Sequence, residues 1–306
     1  MVEVVVHGPA SWNQVVDLDE LPAPVPHMQF ARAHRSVLGG TSAGKAAHLR
    51  ELGVDVELHT VLGTDAAAAE IEAALRRAAV RSVTTYVDGP SERHLNLMDP
   101  RGGRVSLYLD VPRVGPEHTA AATPTLRRAA AGARAVVLDL SETSRAVVDD
   151  VVASGTPIWT DLHDWDGRSA FHAPFADAAS FVFMNGDRAP SVRELLRACV
   201  SRGAELAVCT LGADGALAMD GRGEEIHVAA EPVASVVDTN GAGDGFMAGY
   251  LAAHLDGADV PTALAAGARQ AARALGTHQL CPSLDGSSDL SSDRAVDPGG
   301  PRPSEW

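Results

Sequence analysis

Short aliphatic and β-branched runs alternate with helix-forming segments along most of this chain, and that alternation leaves few folds open. Residues 2–7, 56–61, 135–140, 157–161, 181–184 and 206–210 each read as a buried strand. Residues 66–79, 144–153, 191–201 and 245–255 have the composition and length of helices. This order predicts an α/β protein with a Rossmann-like, mostly parallel sheet and helices on both faces. Ligands of such sheets bind beyond the carboxyl ends of the strands, so polar residues there are the first functional candidates.

The 306 residues are 45% hydrophobic and 4% aromatic, enough for one large core built mainly of Ala, Val and Leu with a small appendage. No apolar run approaches the roughly 20 residues that span a bilayer, and the chain opens on strand-like residues. A cytoplasmic protein with no membrane partner is expected. The formal charge of −15 argues against nucleic acid as a partner. It also means that an anion must be held by local donors and magnesium rather than by a general positive field. Cys199, Cys209 and Cys281 are odd in number and lack ligand spacing, so they read as reduced packing residues.

One stretch points to chemistry. In Asp238-Thr239-Asn240-Gly241-Ala242-Gly243-Asp244-Gly245-Phe246, two glycines and a carboxylate stand where a helix opens. The N–H groups of Ala242, Gly243 and Asp244 would lie unpaired at that terminus, where the helix dipole also favours an anion. Gly241 and Gly243 let the main chain approach a phosphoryl group, and Asp244 is placed to take a proton from an attacking hydroxyl. An Asp-capped helix after a glycine turn is the bland alternative.

The same stretch closely resembles the C-terminal signature of the ribokinase-like carbohydrate kinases, the PfkB family. Gly39-Gly40-Thr41-Ser42-Ala43-Gly44-Lys45, continued to Leu52-Gly53, is similar to the family's glycine pair and following helix. Gly63-Thr64-Asp65 resembles its G-x-D turn, and Thr210-Leu211-Gly212-Ala213-Asp214-Gly215 its nucleotide loop. The matches stand in the family's order across most of residues 1–282.

The resemblance implies an ATP-dependent kinase that phosphorylates a hydroxyl of a small sugar or sugar-like substrate. Asp244 would be the base, and Gly241, Ala242, Gly243 and Asp244 would supply the anion hole. Asn185, Thr210, Gly212 and Gly215 would meet the nucleotide; Asn13, Gly39, Gly40, Thr41 and Lys45 would meet the substrate. Mg²⁺ is implied, held largely through water, and a monovalent cation is left open. A small β lid from about residues 13–36 and 81–110 would cover the site and offer a homodimer contact. The kinase domain would end near residue 282, with 283–306, poor in periodic apolar residues, as a disordered tail.

Departures from the family pattern matter too. The family's N-x-x-E motif reads Asn185-Gly186-Asp187-Arg188, which places a cation where a metal-organising carboxylate is expected and leaves Asp187 to substitute. Asn13 stands for an aspartate, and Gly44 for an asparagine, which leaves extra room and suggests an unusual substrate, larger or anionic. A nucleoside kinase of the adenosine type and a non-catalytic binding relative are the alternatives. Asp161, His163, Asp164 and Asp166 crowd one loop, which reads as a pocket rim before it reads as a metal site.

Overall fold

A computed structural model describes residues 2–285. Its elements in chain order begin with strands β1 (Val4–His7), β2 (Ser11–Asp17) and β3 (Ala33–Gly39), then helix α1 (Thr41–Glu51), β4 (Val56–Leu62) and α2 (Ala66–Arg77). Strands β5 (Arg81–Tyr86), β6 (Glu92–Met98) and β7 (Arg104–Asp110) follow, then α3 (Pro116–Gly132) and β8 (Ala135–Leu138). Next come α4 (Glu142–Arg145), α5 (Val148–Val152), β9 (Ile158–Asp161), α6 (Ala173–Ala178), β10 (Phe181–Asn185) and α7 (Val192–Ser201). The described chain ends with β11 (Leu206–Thr210), β12 (Ala216–Asp220), β13 (Glu225–Val228), α8 (Ala242–Leu255) and α9 (Val260–Ala274).

Nine strands form the large sheet in the order β13-β12-β11-β10-β9-β8-β1-β4-β5. It is parallel from β11 to β5; β12 pairs antiparallel with both β11 and β13, so β12 alone runs against the other strands of this sheet. This is the predicted α/β architecture. Strand periodicity explains the two cores: Val4 and Val6 of β1 enter one hydrophobic cluster with α1, α2, α8 and α9, while Val5 enters the other with α3, α5, α6 and α7. Ala135 and Val137 against Val136 and Leu138 divide in the same way. The Ala-rich segment at 263–274 forms most of α9 and packs tightly: a Cβ on Gly249 would stand 2.7 Å from the Ala266 carbonyl oxygen.

A second sheet, β3-β2-β6-β7, has four strands. The segment at 13–36, expected in the small β lid, holds most of two paired strands of this sheet, with alternate residues Ser11, Asn13 and Val15 buried while the residues between them are not. Residues 81–86, expected with the lid, are instead the edge strand of the large sheet, paired in parallel with β4. The helix read at 144–153 is interrupted into α4 and α5, with Ser141 capping the first through Ser144 N–H. Asp65 and Ser191 cap α2 and α7. Of the segment expected to be a tail, Pro282–Leu284 forms a 3₁₀ turn, and residues 286–306 lie outside the described residues.

Candidate active site

The parallel strands deliver their carboxyl ends to one edge of the large sheet. Asp139 follows β8, Asp161 ends β9, Asn185 ends β10 and Thr210 ends β11. Helices α1 and α8 begin beside the first two of these, and their side chains meet there.

Asp244 lies in the first turn of α8, whose N-cap is Gly241 with φ +78°. A side chain at 241 would be strained by that angle and would also put its Cβ 2.5 Å from the Leu280 carbonyl oxygen. Nothing lies within 4 Å of a Cβ at Gly243, so the side of this terminus that the Cβ would face is open. Thr41 Oγ1 donates to Asp244 Oδ1 at 2.5 Å, and Lys45 Nζ donates to the same oxygen at 2.9 Å. Thr41 Oγ1 also accepts from Lys45.

Lys45 is 1% exposed, and its ammonium lies 3.0 Å from Asp139 Oδ1 and 3.4 Å from Asp161 Oδ2. Ser42 Oγ donates to the other Asp139 oxygen at 2.7 Å. Burial opposes the Lys45 charge, but Asp139, Asp244 and Asp161 more than offset it and hold its pKa above the ordinary lysine value. Burial would raise the Asp161 carboxyl, yet His163 and Lys45 bring it down to about 2. For Asp139, burial prevails over Lys45 and Ser42 and its pKa is raised.

Lys45, expected to meet the substrate, is therefore engaged by protein oxygens, and Gly44 leaves no spare room. A Cβ at 44 would stand 2.6 Å from Asp244 Oδ2, so the space given up by the missing side chain holds the carboxylate of Asp244.

The small sheet roofs this edge through direct contacts. Arg35 on β3 pairs with buried Asp238 and, at 2.5 Å, with Asp17 on β2. Arg104 on β7 donates to Asn240 Oδ1 at 2.8 Å, and Asn240 returns both its N–H and its side-chain amide to Asp238. The loop leading into the glycine turn is thus held by two arginines from the second sheet. The buried face of that sheet carries polar Asn13, His94 and Asn96 beside apolar Val15, Val37 and Met98, and the Asn96 amide oxygen has no protein partner. Asn13 Oδ1 accepts from Ser11, and Gly39 sits so close that a Cβ there would meet Asn13 Nδ2 at 2.1 Å.

Asn185 and Thr210 are register partners on β10 and β11, and Gly212 and Gly215 shape the turn that follows. The Asn185 amide oxygen accepts from Asp187 N–H at 3.1 Å. Arg188, expected to place its charge where the motif's carboxylate would stand, lies 3.6 Å from Asp164 instead. Among the described residues, no group of three or more His, Cys, Asp or Glu side chains is placed to hold a metal. In the Asp161–Asp166 loop, Asp161 is bound to Lys45 and His163, and Asp166 accepts from Arg168 and Ser169 N–H groups. The three cysteines are free and buried. Among the described residues no helix is long and apolar enough to cross a membrane.

Several of these residues were not singled out from sequence. Asp139 had a signal, since it follows directly on a strand that the pattern marks clearly. Arg35 and Arg104 had none, because their partners are 203 and 136 residues away.

Known proteins match this geometry. Residues 173–285 match the pfkB family carbohydrate kinase profile. The chain is 32% identical over 270 residues to the acarbose 7(IV)-phosphotransferase of Actinoplanes sp., covering 87% of this chain and 89% of that protein. A stretch of 88 residues is 41% identical to the fructoselysine 6-kinase of Escherichia coli, covering 29% of this chain and 33% of that protein. The structure of a microbiome-derived acarbose kinase superposes with a TM-score of 0.80 at 29% identity, covering 90% of this chain and 93% of that one. The ribokinase of Arabidopsis thaliana, solved with ribose and ATP, has the same fold with a TM-score of 0.74 at 20% identity, over 92% of this chain and 96% of that one. A near full-length relative, the shared fold and a glycine turn set against a carboxylate agree: the chain belongs to the pfkB family of carbohydrate kinases and is a sugar kinase that transfers phosphate from ATP to a hydroxyl.

Proposed function

We propose that Asp244 is the base of this transfer and that the turn at 241–244 is its anion hole. The observation that carries the reading is the juxtaposition at the start of α8. Asp244 directly follows Gly243, where a Cβ would meet nothing within 4 Å, at the positive end of a 14-residue helix. As the acceptor oxygen bonds to the terminal phosphorus and the bridging bond to ADP breaks, Asp244 takes the hydroxyl proton. The N–H groups of 241–244 meet the charge that builds on the transferring oxygens.

Asn185, Thr210, Gly212 and Gly215 line the nucleotide side. Mg²⁺ would be carried by the phosphates and held by Asp187 and Asn185 through water; it would neutralise phosphate charge. An exposed carboxylate suits a hydrated ion of this kind. Residues 11–39 and 92–110, the second sheet, act as the lid that keeps water from the phosphate.

The acceptor is a polyhydroxylated sugar or a cyclitol-bearing glycoside of the acarbose kind. A buried sheet face made of Asn13, His94 and Asn96 offers donors and acceptors without a net carboxylate, and Gly39, Gly40 and Thr41 complete the floor. Trp159, Phe181, Phe183 and Tyr250 stack on one another inside the core, which leaves them unable to wall a purine and disfavours a nucleoside acceptor. A homodimer through β7 is supported by the exposure of Val105, Leu107 and Leu109 on that strand, and sedimentation velocity checks it.

The test is ATP consumption with Mg²⁺ across acarbose-type glycosides, hexoses, pentoses, cyclitols and nucleosides, with Asp244→Asn alongside. Turnover on a glycoside or sugar, lost in the variant while ATP still binds, is the expected result. Preference for a nucleoside, or turnover retained by Asp244→Asn, would overturn it.

A further inference from the structure

We propose that Lys45 is a positioning residue for this reaction: it pins Asp244 by Oδ1 so that Oδ2 stays open to the acceptor hydroxyl. The proposal rests on Asp244 being the base. Thr41 and Lys45 both donate to Oδ1, at 2.5 and 2.9 Å, while Oδ2 accepts no hydrogen bond among the described residues. The pin is itself anchored, since Asp139 and Asp161 hold the Lys45 ammonium from the ends of β8 and β9 at 3.0 and 3.4 Å. A lysine so held cannot swing with solvent, and it is 1% exposed.

Gly44 is the steric complement of this device. A Cβ at 44 would stand 2.6 Å from Oδ2, so glycine leaves that oxygen its place and lysine holds the other one. The neighbours Gly44 and Lys45 thus act on the two oxygens of one carboxylate. With a neutral side chain at 45, Asp244 keeps only the Thr41 hydroxyl, a weaker donor that cannot fix its orientation alone. Lys45 does not reach the substrate, and its effect passes through Asp244.

The experiment compares wild type, Lys45→Met and the double variant Lys45→Met/Asp139→Asn for kcat, for KM of ATP and for thermal unfolding. Methionine keeps the length of the side chain without the charge. Removing the Asp139 charge in the double variant relieves the buried carboxylate that has lost its partner. The expected result is a fall in kcat of roughly 100-fold in both variants with KM for ATP within about threefold of wild type, the size expected for a reacting group displaced by about 1 Å. The double variant should regain melting temperature without regaining kcat. A merely structural lysine would give the opposite: kcat restored together with stability in the double variant, which would overturn the proposal, as would a single variant with wild-type kcat. Wild-type protein that turns over no acceptor would remove the reading of Asp244 and this proposal with it. Wild-type turnover with an undiminished Lys45→Met enzyme would remove this proposal alone.

Discussion

Gly44→Ala should separate activity from stability. The added Cβ would stand 2.6 Å from Asp244 Oδ2, against the roughly 3.5 Å of an ordinary contact, so something must yield by about 0.9 Å. Helix α1 is fixed by Ser42, Ala43, Ala46 and Ala47, all buried, and the carboxylate at the end of a short side chain moves first. An off-rotamer Asp244 costs about 0.5–1.5 kcal/mol, while alanine in place of glycine inside a helix contributes about 1 kcal/mol in return. Stability should therefore change by no more than about 1 kcal/mol. The base, in contrast, moves nearly 1 Å from where it meets the hydroxyl, and such a shift costs on the order of 100-fold in rate, or about 2.7 kcal/mol of barrier. Steady-state kcat, the ATP dissociation constant from calorimetry and the melting temperature decide the matter. A variant with kcat within threefold of wild type would refute the claim that Gly44 exists to admit Asp244. A variant that melts far lower would show that the helix, not the carboxylate, gives way.

Two further outcomes follow from the same coordinates. At Gly243 no heavy atom lies within 4 Å of an added Cβ, so Gly243→Ala should leave the melting temperature unchanged and weaken ATP binding by tenfold or more, because the methyl group enters space reserved for phosphate; titration calorimetry that finds unchanged ATP affinity would count against the anion hole. His7 is buried at the end of β1, and burial, with a smaller contribution from His59, lowers its pKa from 6.5 to about 3. The unfolded chain therefore takes a proton below pH 6.5 that the folded chain refuses until about pH 3, and stability falls by about 1.4 kcal/mol per pH unit across that window. Replacing it by Gln, which can still bond Ser144, should flatten urea-unfolding free energy between pH 6.5 and 5 by about that slope, and an unchanged slope would show that His7 does not carry it.

What was legible in the sequence was whatever is written locally. Strands of the large sheet show because parallel strands buried on both faces are continuous aliphatic runs, as Val4-Val5-Val6 is. The glycine turn at 241–244 shows because conformation and anion affinity are encoded within four residues. The second sheet was half hidden: β2 buries Ser11 and Asn13 where a pattern reader looks for apolar residues, because that face covers a polar site rather than a core. The edge strand β5, with Arg81, Ser82, Thr84 and Thr85, has a lid-like composition, and only its pairing with β4 assigns it. The cluster around Lys45 joins α1, β8, β9 and α8, and no local pattern announces a contact of that range.

Departures from a family pattern are therefore weak guides when taken one residue at a time. Gly44, with Asn13, reads as a sign of a larger or anionic substrate, and Lys45 as a residue that meets the substrate. Packed together, they turn inward. The lysine charge is matched by Asp139, Asp161 and Asp244, which leaves little of it to recruit an anion. Removing a partner from such a buried set costs more than the set contributes, because an uncompensated charge remains behind. Lys45 and Asp139 are thus tied, since removing one leaves the other's charge buried without its partner. In the function proposed above, substrate choice is set elsewhere, on the face of the second sheet where Asn13 and Asn96 lie and where the Asn96 amide oxygen has no protein partner. A hydroxyl donor that reaches that oxygen is satisfied; an acceptor group there leaves two lone pairs opposed, a loss of about 1–3 kcal/mol that selects for hydroxylated ligands.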